Sequence, residues 1–396
     1  MWKRLFRGFG ILLVTLVSGE IALRYIPSNI QYPLRVQFDN RDGIGVIHPS
    51  NIRVTNRSEC FGPVTYTTNS RGMHDRERSL EKTPGVTRVA ILGDSMMDAE
   101  QVNDDQVLNR QLEQRFGGKV EFLNFGMNAL GTTQESILYE SKVQAFHPDV
   151  VMLMFYTEND ISNNSYEMEK IAYNGAPFLT YRDDNGVPFN PVSFTAKKAF
   201  IQWLNRNFAM FRLARQVIST LQSGRPQTAA GVASLTPEQI RQLIPKRGTA
   251  IRNEVYLTPP DALWEQAWSQ TQSELVRLKE AVEKNGSQFV VVIVPGITEL
   301  DPNTPNVFEA DPVFRAVEGS RTLDMHEPNR RINQMLTDLN IEHHDLYPAM
   351  HDYAEAHQLT FPYFSYSCNS HWTPLGHQVA ADALVDYLKQ ILHLGM

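Results

Sequence analysis

Cysteine is nearly absent from this chain: Cys60 and Cys368 are the two among 396 residues. Neither belongs to a Cys-x-x-Cys pair or a Cys/His spacing, which excludes a structural zinc site. They stand either as two separate thiols or, in an oxidising compartment, as one bridge. Basic runs are absent beyond the N-terminus, and the formal net charge is −7. Phosphate backbones need a concentrated cationic face, so nucleic acid is excluded as a partner. His343 and His344 have no companions at metal-ligand spacing, and nothing in the sequence calls for a metal or a cofactor. No internal repeat is present.

Long apolar runs are few. The one at the N-terminus, FGILLVTLVSG over residues 9–19, meets Glu20 and resumes as Ile-Ala-Leu before Arg24. It falls short of the roughly 20 residues that a full span takes. Counting on to Leu23 gives a marginal helix with Glu20 near the outer interface. Lys3, Arg4 and Arg7 precede the run, and a basic start followed by an apolar segment is an export signal that keeps the N-terminus cytoplasmic. The apolar character continues past a cleavage point at Ser18–Gly19, so residues 1–26 read as an uncleaved membrane anchor. A cleaved signal peptide is the alternative. Both readings place the rest of the chain outside the cytoplasm, inner-membrane anchored or secreted.

What is present fits an ordinary folded protein, with 42% hydrophobic and 20% charged residues. The length suffices for one large α/β domain with an insertion. Residues 27–85 are rich in turn formers, with short strand-like pieces IRVT and VTYTT, and read as an irregular collar. From residue 86 the pattern changes. RVAIL (88–92), VEFLNF (120–125) and DVVMLMFY (149–156) are short apolar runs, as strands covered on both faces require. Helical stretches near 104–115 and 133–145 separate them, and this alternation signals a parallel sheet with right-handed crossovers. It lapses over residues 161–260, which read as an inserted, largely helical lid. One helix is expected near 196–222, with Phe200, Leu204, Phe208 and Phe211 on one face, and a loop over 223–234. The Phe and Trp stripes at 200–211 and 264–268 read as core or lid packing. The alternation resumes at Asp261, a helix cap, followed by FVVVIVP (289–295), a helix near 328–339, a strand near 341–346 and a last helix from Pro374 to about Leu392.

Chemistry concentrates at the ends of these strands. ILGDSMMDAE (91–100) puts Ser95 where a buried strand turns into a helix, a suitable place for a nucleophile and for one oxyanion donor. Asn124 to Gln134 follow the second strand, FYTEND (155–160) the third, and SHWTPLGH (370–377) precedes the last helix. Asp94, Asp98 and Asp160 read as loop-ordering groups, Asn124 as a tie within its turn, and His377 as structural.

Together, strand–Gly-Asp-Ser, Asn-x-Gly with a later Gly, a strand ending in Asn-Asp, and His-Trp before a final helix resemble the SGNH (GDSL-like) hydrolase family over roughly 86–165 and 262–396. The resemblance implies a flavodoxin-like three-layer sandwich with a central parallel sheet of about five strands, and residues 86–396 as the catalytic domain. It implies Ser95 as nucleophile and His371 as base. The oxyanion would be held by the N–H groups of Ser95 and Ala129 and by the Asn159 amide. The family's Asp before the histidine is replaced here, Cys368 and Asn369 standing at its place, so Asn369 is the candidate that orients His371. The export signal and the His-Trp motif are similar to those of proteins that add or remove acetyl groups on cell-envelope or secreted polysaccharides. The expected partner is therefore an acylated carbohydrate or another small ester, besides the membrane met by the N-terminal segment. The expected activity is acyl-ester hydrolysis, the alternatives being O-acyl transfer to a polysaccharide and glycan binding by a site that has lost turnover.

Overall fold

Alternate burial builds the first strand. In Thr87–Gly93 (β1), Val89 and Ile91 enter one apolar layer while Ala90 and Leu92 enter the other. The same two-sided burial shapes Val120–Asn124 (β2), Val150–Tyr156 (β3) and Gln288–Val294 (β4), and the sheet ends in the half-buried Glu342–Asp345 (β5). The structure is a computed structural model. It describes residues 2–25, 37–38, 43–56, 61–183, 185–193, 195–222, 236–301, 303–366 and 370–394.

The five strands form one parallel sheet in the order β5-β4-β3-β1-β2. Numbered along the chain this is the flavodoxin-like 2-1-3-4-5 order, and the expected fold class holds. Helices named below are α1 (Trp2–Tyr25), α2 (Leu108–Arg115), α3 (Thr132–Ser141), α4 (Ala196–Asn207), α5 (Ala209–Gln222), α6 (Ala262–Lys284), α7 (Glu327–Asp338), α8 (Tyr347–Ala356) and α9 (Pro374–Ile391). Ile137 of α3, Trp264, Trp268 and Leu278 of α6, and Ile332 of α7 pack on one face of the sheet. Leu108 of α2, Met350 of α8, and Leu384 and Leu388 of α9 pack on the other. The Asp261 side chain accepts from Trp264 N at 2.9 Å and so caps α6, as its sequence position suggested.

The two strand-like pieces of the collar pair as an antiparallel ribbon, Arg53–Asn56 against Val64–Thr67. The collar is more than an appendage. The Arg78 guanidinium donates to Asp75 at 2.8 and 2.9 Å, to Glu113 of α2 at 2.7 Å and to the Phe122 carbonyl of β2 at 2.8 Å. Asp75 in turn accepts from Asn124 N at 3.1 Å, which fastens the collar to the end of β2.

Two expectations need correction. The helix expected over 196–222 is two helices, broken at Phe208, whose φ and ψ of −125° and 115° are extended. Phe200 and Phe208 do not pack inward: they are 58% and 38% exposed, whereas Trp264 and Trp268 are buried as expected. Residues 2–25 do form a helix, α1, but among the described residues no helix is long and apolar enough to cross a membrane. The spanning anchor expected of residues 1–26 therefore finds no support. Cys60, Cys368, their pairing, and the loop over 223–234 lie outside the described residues.

Breaking a buried ion pair by removing one partner strands the other charge and costs about 3–5 kcal/mol. Arg78→Met should lower stability by about that amount in urea unfolding of the full chain. A loss below about 1 kcal/mol would mean that Asp75 and Arg78 do not tie the collar to the sheet.

Candidate active site

In an open parallel sheet a crevice forms at the carboxyl ends of the strands where the crossovers diverge to opposite faces. Here that point lies between β1 and β3. The connection from β1 to β2 runs through α2 on one face, and that from β3 to β4 runs through α6 on the other. The loops leaving β1, β2 and β3, together with residues 370–371, meet around a cavity of about 270 Å³. Ser95, Ala129, Asn159 and His371 all line it.

Ser95 opens a four-residue helical turn, Ser95–Asp98, capped by Asp94, whose carboxylate accepts from Met96 N at 2.9 Å. The Ser95 hydroxyl donates to the same carboxylate at 3.4 Å. The turn is possible because two glycines leave room for it. A Cβ on Gly93 would lie 2.7 Å from Met97 Cγ, and one on Gly126 would lie 2.4 Å from Met97 Cβ. Asn124 bridges the two loops as expected: its amide donates to the carbonyls of His74 at 3.1 Å and Met97 at 2.8 Å, and its Oδ1 accepts from Gly126 N at 2.9 Å. Asp98 receives His48 Nε2 at 2.7 Å and Asn128 N at 3.1 Å, so it positions the second loop from below.

Ala129 has φ of +69°, the left-handed region that favours glycine. Its carbonyl accepts from the Asn163 amide at 3.1 Å, which helps to hold that conformation. Asn159 ends the loop after β3, and its side chain favours the charged form of Asp94. His371 is half-buried, and its carbonyl accepts from Tyr366 N at 2.9 Å. Asn369, the expected orienter of its ring, lies outside the described residues. His377 is buried in the first turn of α9, edge-on to Trp372 at 5.4 Å. Burial, with His74 and His371 nearby, depresses its pKa to about 3, which keeps it neutral. His343 and His344 lie on β5. Among the described residues one group has metal-ligand proximity, His48, Asp98 and Glu100, but these groups are engaged with one another and with Tyr66.

A further part of the lining comes from the insertion and was missed in the sequence. Tyr173, Thr249, Arg252, Asn253 and Tyr256 line the cavity, and Glu158 joins them. The last four insertion residues fall in a stretch with 3-10 geometry, Gly248–Tyr256, whose sequence carries no periodic signal. Arg252 is held by Asn163 at 2.9 Å and Glu169 at 3.1 Å. Glu158 accepts from Tyr156 OH and from Thr298 N, both at 2.7 Å.

The residues beneath the cavity include buried acids. Burial raises the pKa of Asp94, while the Met96 N–H, His371, Asn159 and Ser95 oppose the rise. Burial also lifts Glu135 and Asp160 well above the usual carboxylate range, and the mutual repulsion of these acids adds to it. Glu169 is pushed up to about 7 by burial, with Arg252 opposing.

No family model matches the chain, and no curated protein matches it. Solved structures do resemble it. An acetyl xylan esterase, AlAXEase, is 11% identical, with 76% of this chain and 99% of that chain covered and a TM-score of 0.38. A catalytic mutant of an acetylxylan esterase from Geobacillus stearothermophilus is 12% identical, with 77% and 95% covered and a TM-score of 0.38. A GDSL-like lipase from Bacteroides thetaiotaomicron is 9% identical, with 77% and 89% covered and a TM-score of 0.34.

Glu169 yields a prediction about stability. Its carboxyl loses a proton near 4.5 when unfolded and near 7 when folded. Between these values the native state holds a proton that the unfolded state has lost, so stability falls as pH rises from 4.5 to 7. The fall attributable to this group is at most about 3 kcal/mol. Glu169→Gln should flatten that part of the profile in urea unfolding at stepped pH. An unchanged slope would show that Glu169 ionises freely beside Arg252.

Proposed function

We propose that this chain is an SGNH-type serine esterase, with Ser95 as nucleophile and His371 as general base. The observation that carries the reading is the meeting of Ser95, Ala129, Asn159 and His371 around one cavity at the switch point of the sheet. In the first step His371 takes the proton from Ser95 Oγ as the oxygen bonds to the acyl carbon. The N–H groups of Ser95 and Ala129 and the Asn159 amide receive the oxyanion. Collapse breaks the ester bond, and the imidazolium returns its proton to the departing alkoxide. Water, deprotonated by His371, then releases the acid from Ser95.

The lining supports a short acyl group on a polar alcohol. Asn128, Glu158, Asn159, Thr249, Arg252 and Asn253 surround the cavity of about 270 Å³, and such polar walls suit a short acyl group better than a long hydrocarbon tail. An acetyl ester of a carbohydrate suits these polar walls, with the rings of Tyr173 and Tyr256 beside it. Together with the export signal, this favours acetylated envelope or secreted polysaccharide as substrate, and a catalytic domain outside the cytoplasm. A sugar hydroxyl in place of water would turn the second step into acyl transfer.

The test is hydrolysis of 4-nitrophenyl acetate by the full chain, beside covalent labelling by a fluorophosphonate. Removing a triad serine costs about 10⁶ in turnover, and replacing the acid by Asn costs about 10⁴. The wild-type rate should therefore exceed that of Ser95→Ala by about 10², and the label should map to Ser95. A label without hydrolysis would favour acyl transfer over the esterase. Neither label nor hydrolysis, with binding of an acetylated glycan that survives Ser95→Ala, would leave a glycan-binding protein.

A further inference from the structure

We propose that α4 and α5 dock on an anionic lipid surface, side by side with α1. Residues 196–222 carry Lys197, Lys198, Arg206, Arg212 and Arg215 and no acidic residue, in a chain whose net charge is −7. The same stretch leaves large apolar side chains uncovered: Phe200 is 58% exposed, Trp203 51%, Val217 48% and Ile218 53%. The aromatic ones form a cluster. Phe200 stacks on Trp203 with ring centroids 5.8 Å apart, and Phe208 meets Trp203 edge-on at 5.5 Å. Lys197, Lys198 and Arg215 of the same two helices are exposed as well.

The start of α5 rests against α1. The Glu20 carboxylate accepts from Ala209 N at 2.9 Å and Met210 N at 3.0 Å, and so caps α5 from the neighbouring helix. Gly19 admits the Met210 side chain, since a Cβ there would lie 3.3 Å from Met210 Sδ. Ile11, Val14 and Ile21 of α1 are themselves more than half exposed. An uncovered apolar surface of this kind needs an occupant. Charge selects which one. Lysines bordering an apolar face with an amphipathic Trp fit the headgroup level of an anionic bilayer, whereas protein interfaces are depleted in Lys. The inference does not depend on the chemistry at Ser95.

The experiment uses the purified full chain with vesicles of phosphatidylcholine, with and without phosphatidylglycerol, some carrying brominated acyl chains. The emission of Trp203 is the difference between wild type and Trp203→Phe, a change that keeps the face apolar. In phosphatidylglycerol vesicles that emission should be quenched by the brominated lipid, and added salt should reverse the effect. Lys197→Gln and Lys198→Gln should each weaken vesicle binding by about fivefold. Three results would overturn the proposal. One is quenching of Trp2 (read from Trp2→Phe) while Trp203 stays unquenched, which would put α1 alone on the membrane. Another is equal quenching of Trp203 without phosphatidylglycerol, which would remove the role of the cations. The third is a blue-shifted Trp203 that reddens on dilution without vesicles, which would make a second copy of the chain the occupant.

Discussion

The site depends on one topological constraint: β1 and β3 are neighbours, yet the chain leaves them toward opposite faces of the sheet. No loop can cover the ground between their carboxyl ends, so a crevice opens there. Ser95 follows β1 and Asn159 follows β3, and the strand register fixes their separation along the sheet, with Gly93 level with Met154. The other parts are fitted to that crevice. Gly126 lets the second loop close against Met97, and Asn124 sews the two loops together through the Met97 carbonyl. The collar adds Asp75 and His74 to the same knot. The first two loops thus form one rigid body, whose hydrogen bonds run through side chains that never enter the cavity.

The same arrangement explains which parts were legible in the sequence. A strand covered by helices on both faces must be apolar at every position, so β1, β3 and β4 announced themselves as unbroken runs such as VVMLMFY and FVVVIV. Site residues at strand ends were legible for the same reason, since a parallel sheet gathers its loops on one rim. The insertion follows no such rule. Arg252 and Asn253 reach the cavity from a stretch of 3-10 geometry that has neither the period of a helix nor that of a strand. Phe200 and Phe208 show the opposite failure: apolar spacing reads as burial, yet among the described residues both stay exposed, each meeting Trp203. Periodicity reports that a face is apolar and does not say what it meets.

Asp94, Glu135 and Asp160 show what the crevice costs. All three are fully or almost fully buried, and burial makes each resist ionisation. Their charges also repel, so ionising one raises the cost of ionising the next. Asp160 is partly repaid by Tyr156 N at 2.8 Å, a bond that pins the loop carrying Asn159 to the end of β3. Glu135 has no hydrogen-bond partner among the described residues for either oxygen. A carboxyl in that condition is more stable holding its proton, which leaves Asp94 as the member of the cluster best supplied with groups that favour its charge.

That distribution bears on the proposed roles of Ser95 and His371, given that Cys368 and Asn369 stand where the family this chain resembles carries an Asp. A serine esterase needs its histidine held in one orientation and its imidazolium stabilised after the proton moves. The first need is met in part by the backbone. Tyr366 N donates to the His371 carbonyl, Ser365 bridges to Trp372, and Thr373 N donates to the Phe364 carbonyl at 2.7 Å, so the segment that bears the histidine is clasped on both sides before α9 begins. The second need is for negative charge near the ring. His371 is among the groups that favour the charged form of Asp94, against the burial that opposes it. Because it also accepts from the Ser95 hydroxyl, and Asn159 too favours its charge, this carboxylate is linked to the proposed nucleophile, base and oxyanion donor at once.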